Sequence, residues 1–259
     1  MKKLILLSVL TIFMSSCSND DGGSSPVTET KYYPKKIDYF NRDAQGVETY
    51  SATTTFSYNE NKQVSSINYM GYGDISFTYN SDGLPTRIVS SFSNNQMVSE
   101  FEYNGDRIVR LLQTGGSFGP YNVGYNASSR TYTYETLYQN YSFTLNSLND
   151  LIKWTRSNNT NTNSENRELT YKTQGYGFLY NIDFPISFYL QFVSLGFDLE
   201  RFISIKPLEK NVHVNNNGQY ITEYTNTLDA NNYVIESILT ALGDTNGAGT
   251  IVRFEYQEL

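Results

Sequence analysis

The chain has 259 residues, a formal net charge of −7, 23 tyrosines and 15 phenylalanines, but only one cysteine and one histidine. An acidic protein is repelled by phosphate backbones, which argues against a nucleic-acid partner. A single cysteine excludes an internal disulfide, and the shortage of cysteine and histidine argues against a zinc site. The length is sufficient for one large β domain.

The first 17 residues have the composition of a bacterial lipoprotein signal. Lys2 and Lys3 precede an apolar run from Leu4 to Met14, which is too short to span a bilayer as a permanent helix. Ser15-Ser16-Cys17 then resembles a lipobox, although Met14 stands where leucine is usual. The resemblance implies a signal peptide of residues 1–16 and lipidation of Cys17, so that acyl chains attach the protein to a membrane. The alternative is a secreted protein with an incidental cysteine.

Residues 17–33 are interpreted as the lipidated cysteine and a flexible tether. The stretch from Ser18 to Pro26 is polar and rich in glycine and serine, so it cannot contribute to a core. A serine and acidic residues directly after the cysteine resemble the surface-export signal of Bacteroidota lipoproteins. We therefore expect a lipid-anchored outer-membrane protein that is exposed at the cell surface. The alternative is an ordinary disordered spacer that carries no export signal.

A motif of aromatic, any residue, aromatic and asparagine recurs after the tether. Clear copies end at Asn59, Asn80 and Asn104, and weaker copies end at Asn126 and Asn146. The two aromatic positions lie on the same face of a strand, and asparagine favours turns. Each copy therefore predicts one β-hairpin.

Successive hairpins predict an all-β fold, a long antiparallel β-meander that forms a single domain over residues 34–259. Alternating stretches such as Ile251–Tyr256 direct one face toward a core and the other toward water. Because the inner face must be covered, we expect the meander to curl or to become barrel-like.

Residues 176–203 interrupt the alternating pattern. Asp183 as an N-cap, Pro185 in the first turn and Gly196 as a terminator predict a short apolar helical insert near 183–200. The leading interpretation is that the insert fills the concave face of the sheet as core. A lid over a cavity for a lipid or another hydrophobic ligand is the second, and docking to a membrane surface is the third. The ligand-contacting candidates of a lid are Phe184, Phe188, Leu190 and Phe192.

The sequence contains no catalytic or cofactor motif, so we expect no catalytic residue, no cofactor and no metal ligand. His213 is the single histidine and is interpreted as a strand-edge or surface residue. Trp154 and the many tyrosines could stack on sugars, although sheet packing explains them better. A glycoside hydrolase needs only two carboxylates at a set distance in space. The carboxylates that we considered for that role are Asp74, Glu100, Glu102 and Glu135.

The lipobox, the acidic tether, the Phe-x-Tyr-Asn hairpins, the apolar insert and a closing hairpin at Leu228–Ile238 together resemble a Bacteroidota lipoprotein family of unknown function. The resemblance covers roughly residues 34–259 and implies a porin-like, widely curved antiparallel sheet. The hairpin unit is also similar to the Rhs-type tyrosine–aspartate repeats, with asparagine in place of aspartate. The family has no assigned functional residues, so none is transferred to this chain.

These observations predict a non-enzymatic binding or scaffold module at the cell surface, attached to the membrane through its N-terminal lipid. One alternative is a carrier that holds a lipid or another hydrophobic ligand in the concave face of the sheet. A second alternative is a glycan-binding protein or a glycoside hydrolase. The oligomeric state is left open.

Overall fold

The computed structural model describes residues 30–92, 95–114, 119–160, 164–182, 186–190, 204–242 and 248–259. The fold is all-β, as the repeated hairpins predict, with one short helical stretch at 186–190. No helix in the described part of the chain is long and apolar enough to cross a membrane. In these ranges the strands are Tyr32–Arg42 (β1), Glu48–Tyr58 (β2), Val64–Tyr69 (β3), Gly73–Tyr79 (β4), Pro85–Phe92 (β5), Asn95–Asn104 (β6), Arg107–Thr114 (β7), Tyr121–Asn122 (β8), Gly124–Asn126 (β9), Thr131–Glu135 (β10), Gln139–Leu145 (β11), Leu151–Asn158 (β12), Ser164–Tyr171 (β13), Leu208–Asn215 (β14), Gly218–Leu228 (β15), Val234–Ala241 (β16) and Gly249–Glu258 (β17).

The strands form one antiparallel sheet that bends into a nearly closed, barrel-like ring. Each strand pairs with its neighbours in sequence, with one exception. The short strands β8 and β9 are parts of one segment and do not pair with each other; β8 pairs with β7, and β9 pairs with β10. The first and last strands, β1 and β17, pair from Tyr32↔Glu258 to Arg42↔Gly249. The expected curling of the meander is confirmed, and Tyr32 and Tyr33, which the sequence placed in the tether, belong to the ring.

The ring has two different ends, because the turns of an antiparallel meander alternate between them. We call the end where β1 begins and β17 ends the proximal end; it also carries the long connection between β13 and β14. The distal end carries the turns that follow β1, β3, β5, β7, β10, β12, β14 and β16.

The two faces of the ring have opposite character. The first aromatic residue of the repeat faces inward and is buried at Phe56, Phe77, Phe101 and Phe143. The outer face carries cross-strand ion pairs, namely Arg87–Glu100 at 3.4 Å, Arg110–Glu102 at 2.9 Å and Lys153–Glu168 at 3.0 Å. This division, apolar inside and charged outside, suits an outer surface in contact with water.

The asparagine of the repeat closes the proximal turns. The Asn80 side-chain oxygen accepts hydrogen bonds from the backbone N–H groups of Asp82 (3.0 Å) and Leu84 (2.9 Å). The fourth residue of this turn, Gly83, has a φ of 80°. The same pair of bonds recurs at Asn59, Asn146 and Asp229. The prediction that these residues form turns is confirmed.

The tyrosine of the repeat connects each hairpin to the one before it. The Tyr79 hydroxyl donates to the backbone carbonyl of Val64 at 2.7 Å, and burial raises the pKa of this tyrosine, so the hydroxyl stays protonated. Where Leu228 takes the place of the tyrosine, Asn226 Nδ2 donates instead to the Leu208 carbonyl at 2.7 Å. The other equivalent bonds are Tyr58 to Pro34, Tyr103 to Pro85, Tyr171 to Leu151 and Tyr256 to Val234.

The insert between β13 and β14 enters the ring from the proximal end. Residues 186–190 are helical and buried, as the short apolar helix near 183–200 predicts. The Phe188 ring lies 5.1 Å from the Phe77 ring, and Phe178 lies 5.2 Å from Phe56. The cavity beside Phe178 is about 20 Å³, which is room for about one water molecule. Asp183, Phe184, Pro185, Phe192 and Gly196 lie outside the described residues.

A buried carboxylate binds the segment that leads from the insert back to β14. Asp150 is fully buried at the turn between β11 and β12 and accepts a hydrogen bond from the backbone N–H of Ile205 at 2.5 Å. Loss of hydration raises the pKa of Asp150, although the bonds that it accepts partly oppose this effect. In the next residue, the Leu151 N–H donates to the hydroxyl of the buried Tyr189 at 3.3 Å. The insert is thus held to the proximal turns by polar bonds as well as by packing.

Candidate functional site

A polar cavity of about 480 Å³ opens at the distal end of the ring. Its size falls within the range of about 300–1,000 Å³ that is usual for ligand sites. Its walls come from the distal ends of β11 to β14 and from the turn between β14 and β15. The lining residues are Gln139, Arg156, Asn158, Ser164, Glu165, Asn215, Asn216 and Asn217.

Glu165 is the centre of a charged cluster on the inner face at this cavity. Its carboxylate lies 2.6 Å from Arg156 Nη2, 3.3 Å from Arg167 Nη2 and 2.9 Å from His213 Nε2. The strand register produces the cluster, because Arg156 pairs with Glu165 across β12 and β13, and Arg167 pairs with His213 across β13 and β14. Two arginines against one carboxylate leave the cluster with a net positive charge.

Aromatic rings pack beside the cluster on the inner face. Tyr134 and Tyr141 stack with ring centroids 4.6 Å apart and an angle of 11° between their planes. The Tyr141 hydroxyl donates to Gln139 Oε1, and burial raises the pKa of Tyr141. The Arg167 guanidinium lies 5.2 Å from the centre of the Trp154 ring, within the range of a cation–π contact. The cluster thus sits on a wall of aromatic side chains.

The distal end also exposes large apolar side chains. Among the described residues, those more than half exposed all lie in distal turns or in the strand ends next to them. At the proximal end the most exposed of this class is Leu148, at 47%. The distal set is Val47, Tyr50, Tyr72, Leu137, Tyr138, Tyr220 and Leu242.

The ligand-contacting residues predicted from the sequence lie elsewhere. Phe188 and Leu190 are buried in the insert, and Trp154 is buried beneath Arg167, so none of these three lines the distal cavity. Phe184, Phe192 and the lipidation candidate Cys17 lie outside the described residues. The roles of these residues as contacts for a ligand or a lipid stay predictions.

The interpretation of His213 as a strand-edge or surface residue is wrong. It lies on β14, which is paired on both sides, and its side chain is 22% exposed beside Glu165. The sequence did carry a signal for the cluster, since Arg156, Glu165 and Arg167 occupy the alternate positions that elsewhere hold inward apolar residues. Charged residues at inward positions of a strand are the mark of a polar site inside a sheet.

The carboxylates considered for glycoside hydrolysis do not meet in the distal cavity. Asp74, Glu100 and Glu102 lie on the outer face, where they contact Asn68, Arg87 and Arg110. Glu135 lies next to the inward Tyr134 and also points outward. Among the described residues that line the distal cavity, Glu165 is the one carboxylate. No group of three His, Cys, Asp or Glu suited to a metal ion occurs within the described ranges.

Comparison with known proteins gives similarity to solved structures only. A porin-like protein from Bacteroides vulgatus is 12% identical, covers 88% of this chain and 100% of its own, and has a TM-score of 0.44. A porin-like protein from Bacteroides uniformis is 12% identical, with coverages of 86% and 96% and a TM-score of 0.49. The Tc holotoxin pore of Photorhabdus luminescens is 8% identical, with coverages of 77% and 12% and a TM-score of 0.26. No protein-family model and no curated protein sequence matches the chain.

Proposed function

We propose that this protein is a lipid-anchored, non-enzymatic binding module of the cell surface and that the distal cavity is its ligand site. The observation that carries the proposal is the difference between the two ends of the ring. The insert fills the interior from the proximal end, where a polar cavity of about 370 Å³ remains beside residues 180–182, whereas the distal cavity of about 480 Å³ is lined by Arg156 and Glu165 of the charged cluster. The volume is that of an ordinary ligand site, and the walls are more polar than the mainly apolar walls of most such sites, which favours a polar ligand.

The position of β1 fits an N-terminal anchor. Because β1 begins at the proximal end, the chain that would carry a lipid on Cys17 joins the ring at the end opposite the distal cavity. The charged outer face is suited to water, so the acyl chains are the membrane attachment in this proposal.

A glycan is the ligand class that the site supports best. The cavity wall consists of amide, hydroxyl and charged side chains, which match the hydroxyl groups of a sugar. Tyr220, beside His213, is 52% exposed, and Tyr138, next to Gln139, is 67% exposed, so both rings are open to contact a ligand. A hydrophobic ligand is less well supported, because the apolar cavity beside the insert is only about 20 Å³. Catalysis by Glu165 is also less well supported, because two arginines and His213 already surround its carboxylate.

The anchor is tested by the variant Cys17→Ala, expressed in the native bacterium. We expect the protein to leave the membrane fraction and to be released, because removal of the thiol removes the acyl chains. Fractionation followed by immunoblotting measures the distribution. Unchanged membrane association of Cys17→Ala would refute the lipid anchor.

The ligand site is tested by binding of the purified Cys17→Ala chain to an array of defined oligosaccharides. We expect binding to a subset of the array and at least tenfold weaker affinity after Tyr220→Ala. Tyr72→Ala is the matched control, since Tyr72 is an exposed distal tyrosine between β3 and β4, whereas the Tyr220 ring lies 5.9 Å from the His213 ring of the cluster. If no oligosaccharide binds, or if both variants lose binding equally, the proposed site is wrong.

A further inference from the structure

We infer that the distal cavity selects an acidic saccharide, one that carries a carboxylate or a sulfate group, and that Arg156 binds this anionic group. The inference rests on the proposed function, because it assigns a chemical class to the same site. Its first support is local charge. The chain has a formal net charge of −7, yet the inner face at the cavity places Arg156 and Arg167 against the single carboxylate of Glu165.

The second support is the hydrogen-bonding state of the cavity wall, where three amide oxygens already accept one bond each. Gln139 Oε1 accepts from the Tyr141 hydroxyl, and Asn215 Oδ1 accepts from the Asn217 N–H at 2.8 Å. Asn216 Oδ1 accepts from the Ser164 N–H at 3.4 Å. An amide group has two N–H donors and two acceptor lone pairs, so Gln139 and Asn215 each keep more donor than acceptor capacity for a ligand. A wall with spare donors favours a ligand rich in acceptors.

Arg156 is the arginine placed to meet such a ligand. It lines the cavity, and its side chain is 36% exposed, whereas Arg167 is 11% exposed beside Trp154. Glu165 holds the Arg156 guanidinium in place through Nη2 at 2.6 Å. A guanidinium has five N–H donors, so the bonds of Arg156 to Glu165 and to the Tyr141 side chain leave other donors to bind a carboxylate or a sulfate. Glu165 is thus a positioning residue, and Arg156 makes the contact.

The experiment uses the purified Cys17→Ala chain and an array in which each neutral oligosaccharide is matched with a uronate or a sulfated counterpart. We expect the acidic member of a bound pair to bind at least tenfold more tightly. Inorganic sulfate serves as a competitor, and it should displace the saccharide only weakly, because it lacks the sugar that contacts Tyr220. Displacement by sulfate at a similar concentration would mean that the anion alone is recognised, which contradicts the saccharide assignment.

The variants separate the roles of the charges. Arg156→Gln should reduce the preference for the acidic member to less than threefold, since it removes the cation and keeps much of the volume. Arg110→Gln is the matched control, because Arg110 makes the same kind of cross-strand ion pair with Glu102 on the outer face and is 43% exposed. Arg156→Lys, which keeps the charge, should retain part of the preference even if Arg156→Gln is destabilised.

The outcomes also separate this inference from the proposed function. Equal binding of neutral and acidic members that is lost in Tyr220→Ala would overturn the acidic preference and leave the glycan site standing. Binding to no member of the array would overturn both. If Arg156→Gln keeps the full preference for the acidic member of a pair, another residue binds the anionic group. That result would overturn the assignment of Arg156.

Discussion

At the scale of single residues, the three fixed positions of the repeat have three separate tasks. The first aromatic residue fills the interior, the tyrosine combines burial with a bond to a backbone carbonyl, and the asparagine closes the turn. The tyrosine is the least obvious of the three, because its bond reaches back to the previous hairpin rather than within its own. Each hydroxyl satisfies a carbonyl close to a register shift of the sheet; the Val64 carbonyl that Tyr79 binds is an example, because the pairing of Val64 with Tyr58 follows such a shift.

We predict that Tyr79→Phe lowers the free energy of unfolding by about 1 kcal/mol, because it removes the bond to the buried Val64 carbonyl and leaves the packing unchanged. Tyr72→Phe is the control, since Tyr72 is 68% exposed. Urea denaturation followed by tryptophan fluorescence measures both variants. A loss for Tyr79→Phe no larger than that of the control would contradict this role of the tyrosine.

At the scale of structural elements, the insert determines which parts of the interior are filled. Its aromatic residues pack against the repeat phenylalanines, as Phe188 does against Phe77 and Phe178 against Phe56. Gly177 allows the insert to turn close to its own return segment, because a Cβ there would lie 2.4 Å from the Ser204 carbonyl oxygen. The described part of the insert therefore has the burial and the contacts of a core element.

We predict that Phe188→Ala lowers the free energy of unfolding by about 3–5 kcal/mol, the usual effect of emptying a buried phenylalanine site. A lid residue would show the opposite behaviour, with little change in stability and a change in ligand uptake. Leu148→Ala, in an exposed proximal turn, serves as the control and should change stability only slightly. A value for Phe188→Ala near that of Leu148→Ala would favour the lid.

The elements also show how far sequence reasoning reaches. The hairpins at Asn59, Asn80 and Asn104 were predictable, because turn chemistry and alternation are local properties. The copy at Asn126 was weak for a physical reason: the segment Tyr121–Asn126 is divided into β8 and β9, which pair with different neighbours. The sequence shows that Arg156, Glu165 and Arg167 occupy inward positions, but it does not show that they meet. The cluster comes from three strands and is brought together only by the register of the sheet.

At the scale of the whole molecule, the pairing of β1 with β17 makes the sheet a ring. Outer-face contacts cross this junction, since Lys36 lies 3.4 Å from Glu255, and Arg253 on β17 lies 2.8 Å from Glu48 on β2. The sequence predicted a curled or barrel-like meander but not this junction, because no local pattern identifies contacts such as that between the side chains of Lys35 and Glu255, which are 220 residues apart.

We predict that removal of residues 249–259 prevents cooperative folding, because it deletes β17 and leaves β1 and β16 as open edges. Removal of Leu259 alone is the control; it loses only the contact with the Lys62 ammonium group and should fold normally. Circular dichroism during thermal denaturation and light scattering measure folding and aggregation. A cooperative transition in the truncated chain would show that the junction is dispensable.

The junction between the first and last strands has a consequence for the order of events during synthesis. A chain that emerges from its N-terminus presents β1 long before β17 exists, so the ring cannot be completed until the final residues have appeared. In the interval, β1 and the newest strand both expose unpaired backbone groups that can pair with other chains. A chain that stops before β17 keeps β1 and its own last strand as open edges with unpaired backbone N–H and C=O groups. A chain that includes β17 has paired these groups, so the open edges distinguish the two.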